Sequence, residues 1–215
     1  MPTVCGVILA AGASSRMGTD KALLPWPAAN TTGATLLSSA IAALKPFTRE
    51  TIVVAGKNAD KLAAVVASGG ASIVINPAPE RGQFSSLQTG LREALRHGCD
   101  AAMITPVDCA PLSVSSLQLL RDAFDRALAR GQWAVAPERD SRRGHPLLAA
   151  RPLIDAFLSA PVTGNARDVK RAHAQRFEYV AVPDLYLSAD INTPEEYAAI
   201  SADAHNAKCQ PLRLS

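Results

Sequence analysis

The stretch Val4–Leu9, VCGVIL, decides the fold: it is a continuous run of small and apolar residues, and the loop Ala10–Pro25 follows it directly. A run that is apolar on both faces is typical of a strand buried inside a parallel sheet. Further short runs alternate with amphipathic segments, which gives predicted strands at Thr51–Ala55, Ser72–Ile75 and Ala101–Thr105 and predicted helices at Thr35–Leu44, Asn58–Ala67 and Ser85–Gly98. This alternation predicts a Rossmann-like α/β fold, with a mostly parallel sheet covered by helices on both faces.

The second half of the chain is less regular. A predicted helix, Ser113–Arg130, leads to the apolar run Trp133–Ala136, and only a short Arg-rich turn separates that run from Pro146–Ala149. A helical crossover does not fit in so short a connection, so we expect one antiparallel pair in the sheet. The remaining predicted elements are helices at Pro152–Leu158, Asn165–Ala174 and Pro194–Ala204 and a strand at Phe177–Val182.

Length and composition limit the function classes. The chain has 215 residues, which suits a single domain, residues 1–215, with a frayed tail at 206–215. Its 22 Lys and Arg against 19 Asp and Glu give a net charge of +3, and no run of five or more Lys or Arg occurs. Nucleic acid and membrane surfaces are therefore not expected partners.

The four cysteines indicate the compartment. Cys5, Cys99, Cys109 and Cys209 form no CxxC pair and have no histidine at metal-ligand spacing. This pattern is typical of reduced thiols, so we expect a cytoplasmic protein.

The loop after the first strand favours a polyphosphate ligand. Small residues at positions 10–13 let backbone N–H groups approach an anion, and Gly12 and Gly18 permit the turns. Arg16 and Lys21 add two cations, and the spacing matches neither a Walker phosphate loop nor GxGxxG. An ordinary solvated turn is the alternative.

Asp108 ends a predicted parallel strand and should lie at the same sheet edge as the loop. A carboxylate facing phosphates suits Mg²⁺, which takes one or two carboxylates plus phosphate oxygens and water. Asp190 or Asn192 offers a second oxygen, although both side chains also suit a local turn or cap before the helix that follows Thr193.

Six segments carry a family resemblance: LAAGASSRMGTDKALLPW from Leu9, GQFSSLQTGL from Gly82, TPVDCAPL from Thr105, GHPLL from Gly144, GNAR from Gly164 and DINTPEEY from Asp190. In that order they resemble the MobA/MocA-like nucleotidyltransferases, which attach a nucleotide to the molybdenum cofactor. The resemblance extends over nearly the whole chain. The opening Leu-Ala-Ala-Gly is most similar to the cytidylyltransferase branch, since the guanylyltransferase branch tends to carry Leu-Ala-Gly-Gly.

The resemblance implies a Mg²⁺-dependent transfer of CMP from CTP to the terminal phosphate of molybdopterin, with release of pyrophosphate. It implies nucleotide contacts from Leu9, Ala10, Ala11, Gly12, Arg16, Lys21, Gly82, Gln83, Ser86 and Asp108. Asp108 and Asp190 would bind the metal, and His145 would contact the acceptor. Arg16, Lys21 and Asp108 would act in catalysis. Three arginines could either contact a pterin phosphate or simply be solvated: Arg142, Arg143 and Arg167.

Two departures and several alternatives accompany this interpretation. The segment Pro27–Ala34 is longer and more polar than is usual in the family, and Asn192 replaces a carboxylate of the usual DIDTPED, which favours Asp190 as the metal ligand.

Alternative substrates would use the same chemistry: GTP in place of CTP, or a sugar phosphate in place of molybdopterin. A noncatalytic carrier that hands the cofactor to a molybdoenzyme is an alternative of another class, and a nicotinamide oxidoreductase is disfavoured because GxGxxG is absent.

Overall fold

The architecture comes from a computed structural model, which describes residues 1–12, 17–26, 33–187, 191 and 193–200. Within these residues eight strands form one sheet. Their bounds are Val4–Leu9 (β1), Glu50–Ala55 (β2), Ser72–Ile75 (β3), Ala101–Pro106 (β4), Ala134–Arg139 (β5), Arg142–Arg143 (β6), Leu147–Ala150 (β7) and Phe177–Ala181 (β8).

In addition to the helical residues 194–200, six α-helices connect or follow these strands in the described part of the chain. They are Leu36–Leu44 (α1), Ala59–Gly69 (α2), Gln83–Arg96 (α3), Val114–Ala129 (α4), Arg151–Ser159 (α5) and Ala166–Ala172 (α6). Thr35 begins α1 with a capping box to Ser38, and the Ser113 hydroxyl accepts from the Ser116 N–H at the start of α4. Such caps satisfy N–H groups that a helix cannot pair internally, which explains why both helices begin where the sequence predicts.

The strand order confirms the predicted fold class. The sheet runs β3-β2-β1-β4-β7-β5, with β6 and β8 both paired to β5. Strands β1 to β4 are parallel, whereas β7 is antiparallel to both β4 and β5. The antiparallel pair therefore lies where the short connection between Ala136 and Pro146 predicts it.

The core has two apolar layers, one on each face of the sheet. Helices α1, α2 and α4 cover one face and pack against Ile8 and Val53, whereas α3, α5 and α6 cover the other and pack against Val7 and Ile52. Successive strand residues point to opposite faces, so a strand buried on both sides needs the uninterrupted apolar run seen in β1. All six residues of β1 are buried.

The expectation of reduced thiols is wrong for one pair. Cys5 and Cys99 form a disulfide with Cα atoms 5.9 Å apart, and both residues are buried. Cys109 is also buried, and Cys209 lies outside the described residues. The two bonded cysteines lie far apart in the sequence but meet because β1 and β4 are neighbours, which spacing along the chain does not reveal.

The end of the described chain agrees in part with the predicted elements. Residues 194–200 are helical, and the rest of the predicted helix and the tail at 206–215 lie outside the described residues, as does most of Pro27–Ala34. None of the helices described is both long enough and apolar enough to cross a lipid bilayer.

Candidate functional site

The loop after β1 and the end of β4 meet through an ion pair. Lys21 Nζ lies 3.2 Å from Asp108 Oδ2, with side-chain exposures of 13% and 27%. Parallel neighbours β1 and β4 end at the same edge of the sheet, so a loop after one and a carboxylate after the other are brought together. Both residues were predicted for the site, and the structure joins them across 87 positions of sequence.

Asn58 organises the described part of the loop. Its side-chain amide donates to the Ala10 carbonyl oxygen at 2.9 Å and to Asp20 Oδ2 at 2.7 Å. Its Oδ1 accepts from the Gly56 N–H at 3.0 Å, and Asp20 Oδ1 in turn accepts from the Ala22 N–H. One side chain thus connects both ends of the loop to the end of β2.

A cavity of about 630 Å³, here called the loop cavity, opens beside this network. It is lined by Ala11, Gly12, Gly18, Thr19, Asp20, Lys57, Asn58, Lys61, Pro79 and Glu80. Two predicted nucleotide-contact residues, Ala11 and Gly12, therefore face a space of ligand size. Lys57 and Lys61 add cations to it that the loop motif does not contain.

A second cavity, of about 760 Å³, is here called the cationic cavity. Its lining includes predicted residues from three separate segments: Leu9, the neighbours Gly82 and Gln83, and His145. The GNAR segment and the helix after it contribute the cations Arg167, Lys170 and Arg171, and Arg81 adds a fourth. Because Glu80 lines the loop cavity and Arg81 the cationic cavity, the two spaces adjoin along the chain.

The cations around Lys170 perturb its titration. Burial lowers the pKa of Lys170, and the positive charges of Arg167 and Arg143 lower that pKa further. Arg143 itself stacks over the Tyr179 ring, with its guanidinium carbon 3.8 Å from the ring centroid. Asp168 also lines the cavity and offsets one positive charge through its ion pair with Arg171. The remaining positive charges around a partly buried lysine favour an anionic ligand, which relieves their mutual repulsion.

Gly82 begins α3 in a conformation that favours glycine. Its φ is +91°, a value that L side chains rarely adopt, and open space surrounds the position of an added Cβ. Ser86, in the first turns of α3, is buried, and the amide of buried Asn76 donates to its hydroxyl at 2.9 Å. The Asn76 amide also donates to Ser85 Oγ at 2.8 Å, so both serines anchor the start of the helix.

His145 lies at the turn into β7 and lines the cationic cavity. The peptide bond between His145 and Pro146 is cis, and His145 Nδ1 lies 3.4 Å from the Ile104 carbonyl oxygen. The ring therefore lies against β4 and lines the same cavity as the GNAR segment.

Three predicted positions lie outside the described residues: Arg16, Asp190 and Asn192. Ile191, which is described, donates its backbone N–H to the Asp108 carbonyl oxygen at 2.9 Å and is fully buried. The chain at residue 191 therefore lies directly beside Asp108.

Six residues that line or organise the two cavities were not predicted from the motifs: Lys57, Asn58, Lys61, Arg81, Lys170 and Arg171. Lys170 and Arg171 had a detectable signal, because they lie three and four residues after Arg167 and share one face of a helix with it. Asn58 precedes a helix and is readily taken for a simple cap, although its side chain makes no cap hydrogen bond.

Residues 6–177 match the model of the MobA-like NTP transferase domain. The chain belongs to this family. The matched range includes Lys21, Asp108 and the residues that line both cavities. The chain is accordingly an enzyme of the nucleotidyltransferase class.

Three curated relatives span almost the full chain. It is 31% identical to a "Probable molybdenum cofactor guanylyltransferase" of Rhodopirellula baltica, over 91% of this chain and 90% of the relative. It is 26% identical to the molybdenum cofactor cytidylyltransferase of Escherichia coli, over 92% and 95%. It is 30% identical to the nicotine blue oxidoreductase of Paenarthrobacter nicotinovorans, over 91% and 95%. Proteins of this family therefore carry names from more than one reaction class.

A solved structure supports the fold. A nucleotidyl transferase from Methanothermobacter superposes with a TM-score of 0.76 at 22% identity, covering 95% of this chain and 99% of that one. At this identity the likeness concerns the fold alone.

Proposed function

We propose that the protein transfers CMP from CTP to the terminal phosphate of molybdopterin and releases pyrophosphate. The Lys21–Asp108 pair carries this proposal, because it places a cation and a carboxylate together at the edge where the loop meets β4. The curated relatives named as molybdenum cofactor nucleotidyltransferases support the acceptor class. The contact residues proposed from the resemblance are retained, including Arg16, Ser86 and Asp190.

The reaction needs alignment and charge neutralisation more than a protein nucleophile. A phosphate oxygen of the acceptor attacks the α-phosphorus of CTP, a new P–O bond forms, and the bond to the β-phosphate breaks. The acceptor is already anionic, so little base assistance is required. Lys21 and Arg16 would neutralise the charge that builds on the α-phosphate and the departing pyrophosphate.

The residues present fit a divalent cation. Asp108 supplies a hard oxygen donor of the type Mg²⁺ prefers, and within the described residues it belongs to no cluster of three metal-ligating side chains. Such a donor set suits an ion that completes its shell with water and phosphate oxygens. Asp108, with Asp190, would hold it, and the bound ion would polarise the phosphates.

Cytosine recognition is proposed for the loop. Ala11 lines the loop cavity and adds a methyl group where the guanylyltransferase branch tends to have glycine. The added methyl group narrows the space for the base, which suits a pyrimidine better than the larger purine. The two curated relatives differ in their nucleotide, so a direct comparison of nucleotides has to test the assignment.

The cationic cavity is proposed for the acceptor. Arg167, Lys170 and Arg171 converge on it with His145, and none of them belongs to the nucleotide loop. A terminal phosphate bound here would pair with Lys170, whose pKa is lowered by burial and further by the neighbouring positive charges. The adjoining cavities would then present acceptor and nucleotide to each other at the sheet edge.

The decisive assay measures pyrophosphate release from each of the four ribonucleoside triphosphates, with and without molybdenum cofactor and with and without Mg²⁺. We expect release with CTP only when cofactor and Mg²⁺ are both present. Preference for GTP would overturn the base assignment alone. Binding of molybdenum cofactor without pyrophosphate release would identify a carrier, and reduction of a dye by NADH or NADPH in the absence of molybdenum cofactor would identify an oxidoreductase.

Asp108→Ala tests whether the carboxylate at the end of β4 is needed for catalysis. Loss of the carboxylate should lower kcat by at least about 100-fold, because the divalent cation that Asp108 would hold, and with it the stabilisation of negative charge in the transition state, is lost. Asp122→Asn, an exposed change on α4, is the control and should behave as wild type. Near-normal turnover by Asp108→Ala, with a folded protein confirmed by circular dichroism, would refute the assignment.

A further inference from the structure

Three side chains that could hold a metal ion lie at the opposite edge of the sheet from the loop after β1. Cys5 is on β1, Glu50 is the first residue of β2, and Cys99 lies just before β4. The potential ligand atoms of these three residues all lie within 4.8 Å of one another. Cys5 pairs with Glu50 in the sheet register, so the backbone itself fixes their closeness.

The carboxylate of the cluster is held in place by a histidine. His97 Nδ1 lies 2.8 Å from Glu50 Oε2, and its Nε2 lies 3.0 Å from Glu93 Oε1. Glu50 Oε1, the other carboxylate oxygen, lies 3.7 Å from the Cys5 sulfur. One oxygen is thus bound to the histidine while the other points toward the sulfurs, as in the outer shell of many metal sites.

We propose that the reduced protein binds Zn²⁺, or a divalent transition-metal ion of similar ligand preference, through Cys5, Cys99 and Glu50. Two thiolates and one carboxylate are a donor set that Zn²⁺ accepts in tetrahedral geometry, with water completing the fourth position. His97 orients Glu50 and does not itself ligate the ion. The residues already accounted for by nucleotidyl transfer take no part in this site.

The two cysteines of the cluster are buried, and the carboxylate is the group nearest to solvent. Cys5 is 0% and Cys99 2% exposed, whereas the Glu50 side chain is 28% exposed. The ion would therefore enter past Glu50 and His97 and be closed off from the other side by the core. When the two buried thiols lose their protons beside a carboxylate, they need a compensating positive charge, which the dication supplies.

Metal binding requires the disulfide to open first. A trialkylphosphine breaks the Cys5–Cys99 bond: phosphorus takes the oxygen of one water molecule, and the two protons of that water give two thiols. Both thiols then release their protons to the buffer when the cation binds. The disulfide and the metal site are thus the oxidised and reduced forms of one pair.

The experiment uses the full chain with Cys109→Ser and Cys209→Ser, which leaves only the two cysteines of the cluster. After phosphine reduction, Co²⁺ should give a sulfur-to-metal charge-transfer absorption at one equivalent, and Zn²⁺ should displace it. X-ray absorption of the zinc form should show two sulfur neighbours at about 2.3 Å and lighter neighbours at about 2.0 Å. This last readout needs no substitution within the cluster.

Three further variants test the assigned roles. Cys5→Ser and Cys99→Ser should each abolish the charge-transfer band, and Glu50→Gln should weaken zinc binding more than His97→Gln does. The His97 variant should lose about 10- to 100-fold in affinity, as outer-shell partners do. Absence of thiols after reduction, absence of sulfur neighbours, or unchanged binding in Cys99→Ser would each overturn the proposal.

Discussion

At the scale of single residues, Lys21 and Asp108 show how the fold brings two charged side chains together. Each is an ordinary charged residue, yet they lie 3.2 Å apart with limited solvent exposure at the end of two parallel strands. A partly buried ion pair interacts more strongly than an exposed one, because water and salt screen it less. The pair therefore holds both side chains in place beside the loop after β1.

Lys170 yields a pH prediction at the same scale. Burial and neighbouring cations lower its pKa, so it loses its proton at a lower pH than an ordinary lysine does. If its cation holds the acceptor phosphate, acceptor affinity is full below that lowered pKa and is lost as the pH rises through it. We expect the KM for the acceptor to rise in this alkaline range while the KM for CTP does not.

Lys170→Arg provides the check, because arginine stays charged throughout that range. The variant should show a flatter dependence of acceptor KM on pH, measured by pyrophosphate release. Lys57→Arg in the loop cavity is the matched control and should keep the wild-type profile. A profile that Lys170→Arg leaves unchanged would remove Lys170 from acceptor binding.

At the scale of elements, the loop after β1 depends on a side chain from the start of α2. Asn58→Ala removes the hydrogen bonds to Ala10, Asp20 and Gly56. We expect a stability loss of about 1–3 kcal/mol in urea unfolding. The KM for CTP should rise about 10-fold, since the loop must then be ordered at the expense of binding energy.

Ser68→Ala, at an exposed site on the same helix, serves as the control for Asn58 and should leave both quantities near the wild-type values. An Asn58→Ala enzyme that loses stability but keeps its KM for CTP would show that the loop does not need this support.

The connection between β6 and β7 depends on the absence of a side chain at Gly144. A Cβ there would overlap the carbonyl oxygen and the side chain of Leu187. Gly144→Ala should therefore lower stability by about 1–3 kcal/mol, the usual cost of overpacking. Gly12→Ala is the contrast, because open space surrounds its Cβ position, and its midpoint in thermal unfolding should stay close to that of wild type.

At the scale of the whole molecule, the sheet couples two separate apolar layers. Phe124 lies in one layer and Phe157 in the other, and both are fully buried. Either change to alanine should cost about 3–5 kcal/mol, because each leaves a cavity in a packed core.

We propose that residues 1–215 unfold as one domain, since the same strands support both layers. The predicted observation is a single urea transition that coincides by circular dichroism and by tryptophan fluorescence, in wild type and in both Phe variants. Two separated transitions, with only one of them shifted in each variant, would indicate independent units instead.

Much of the architecture was predictable because it follows from local patterns. The apolar runs of β1, β2 and β4, the caps at Thr35 and Ser113, and the short turn before β7 depend on residues close together in sequence. Such signals indicate strand type, helix starts and the antiparallel pair. The position of the loop at the carboxyl end of β1 follows from the parallel sheet in the same way.

The amino-acid sequence by itself determined the fold class and pointed to the loop after β1, Lys21 and Asp108 as candidates for the site. Only the tertiary structure decided that these two residues touch, that Arg167, Lys170 and Arg171 share a cavity with His145, and that Cys5 meets Cys99. The physical reason is that such contacts depend on strand order and register. Packing of the entire sheet sets both, and no short window of sequence contains that information.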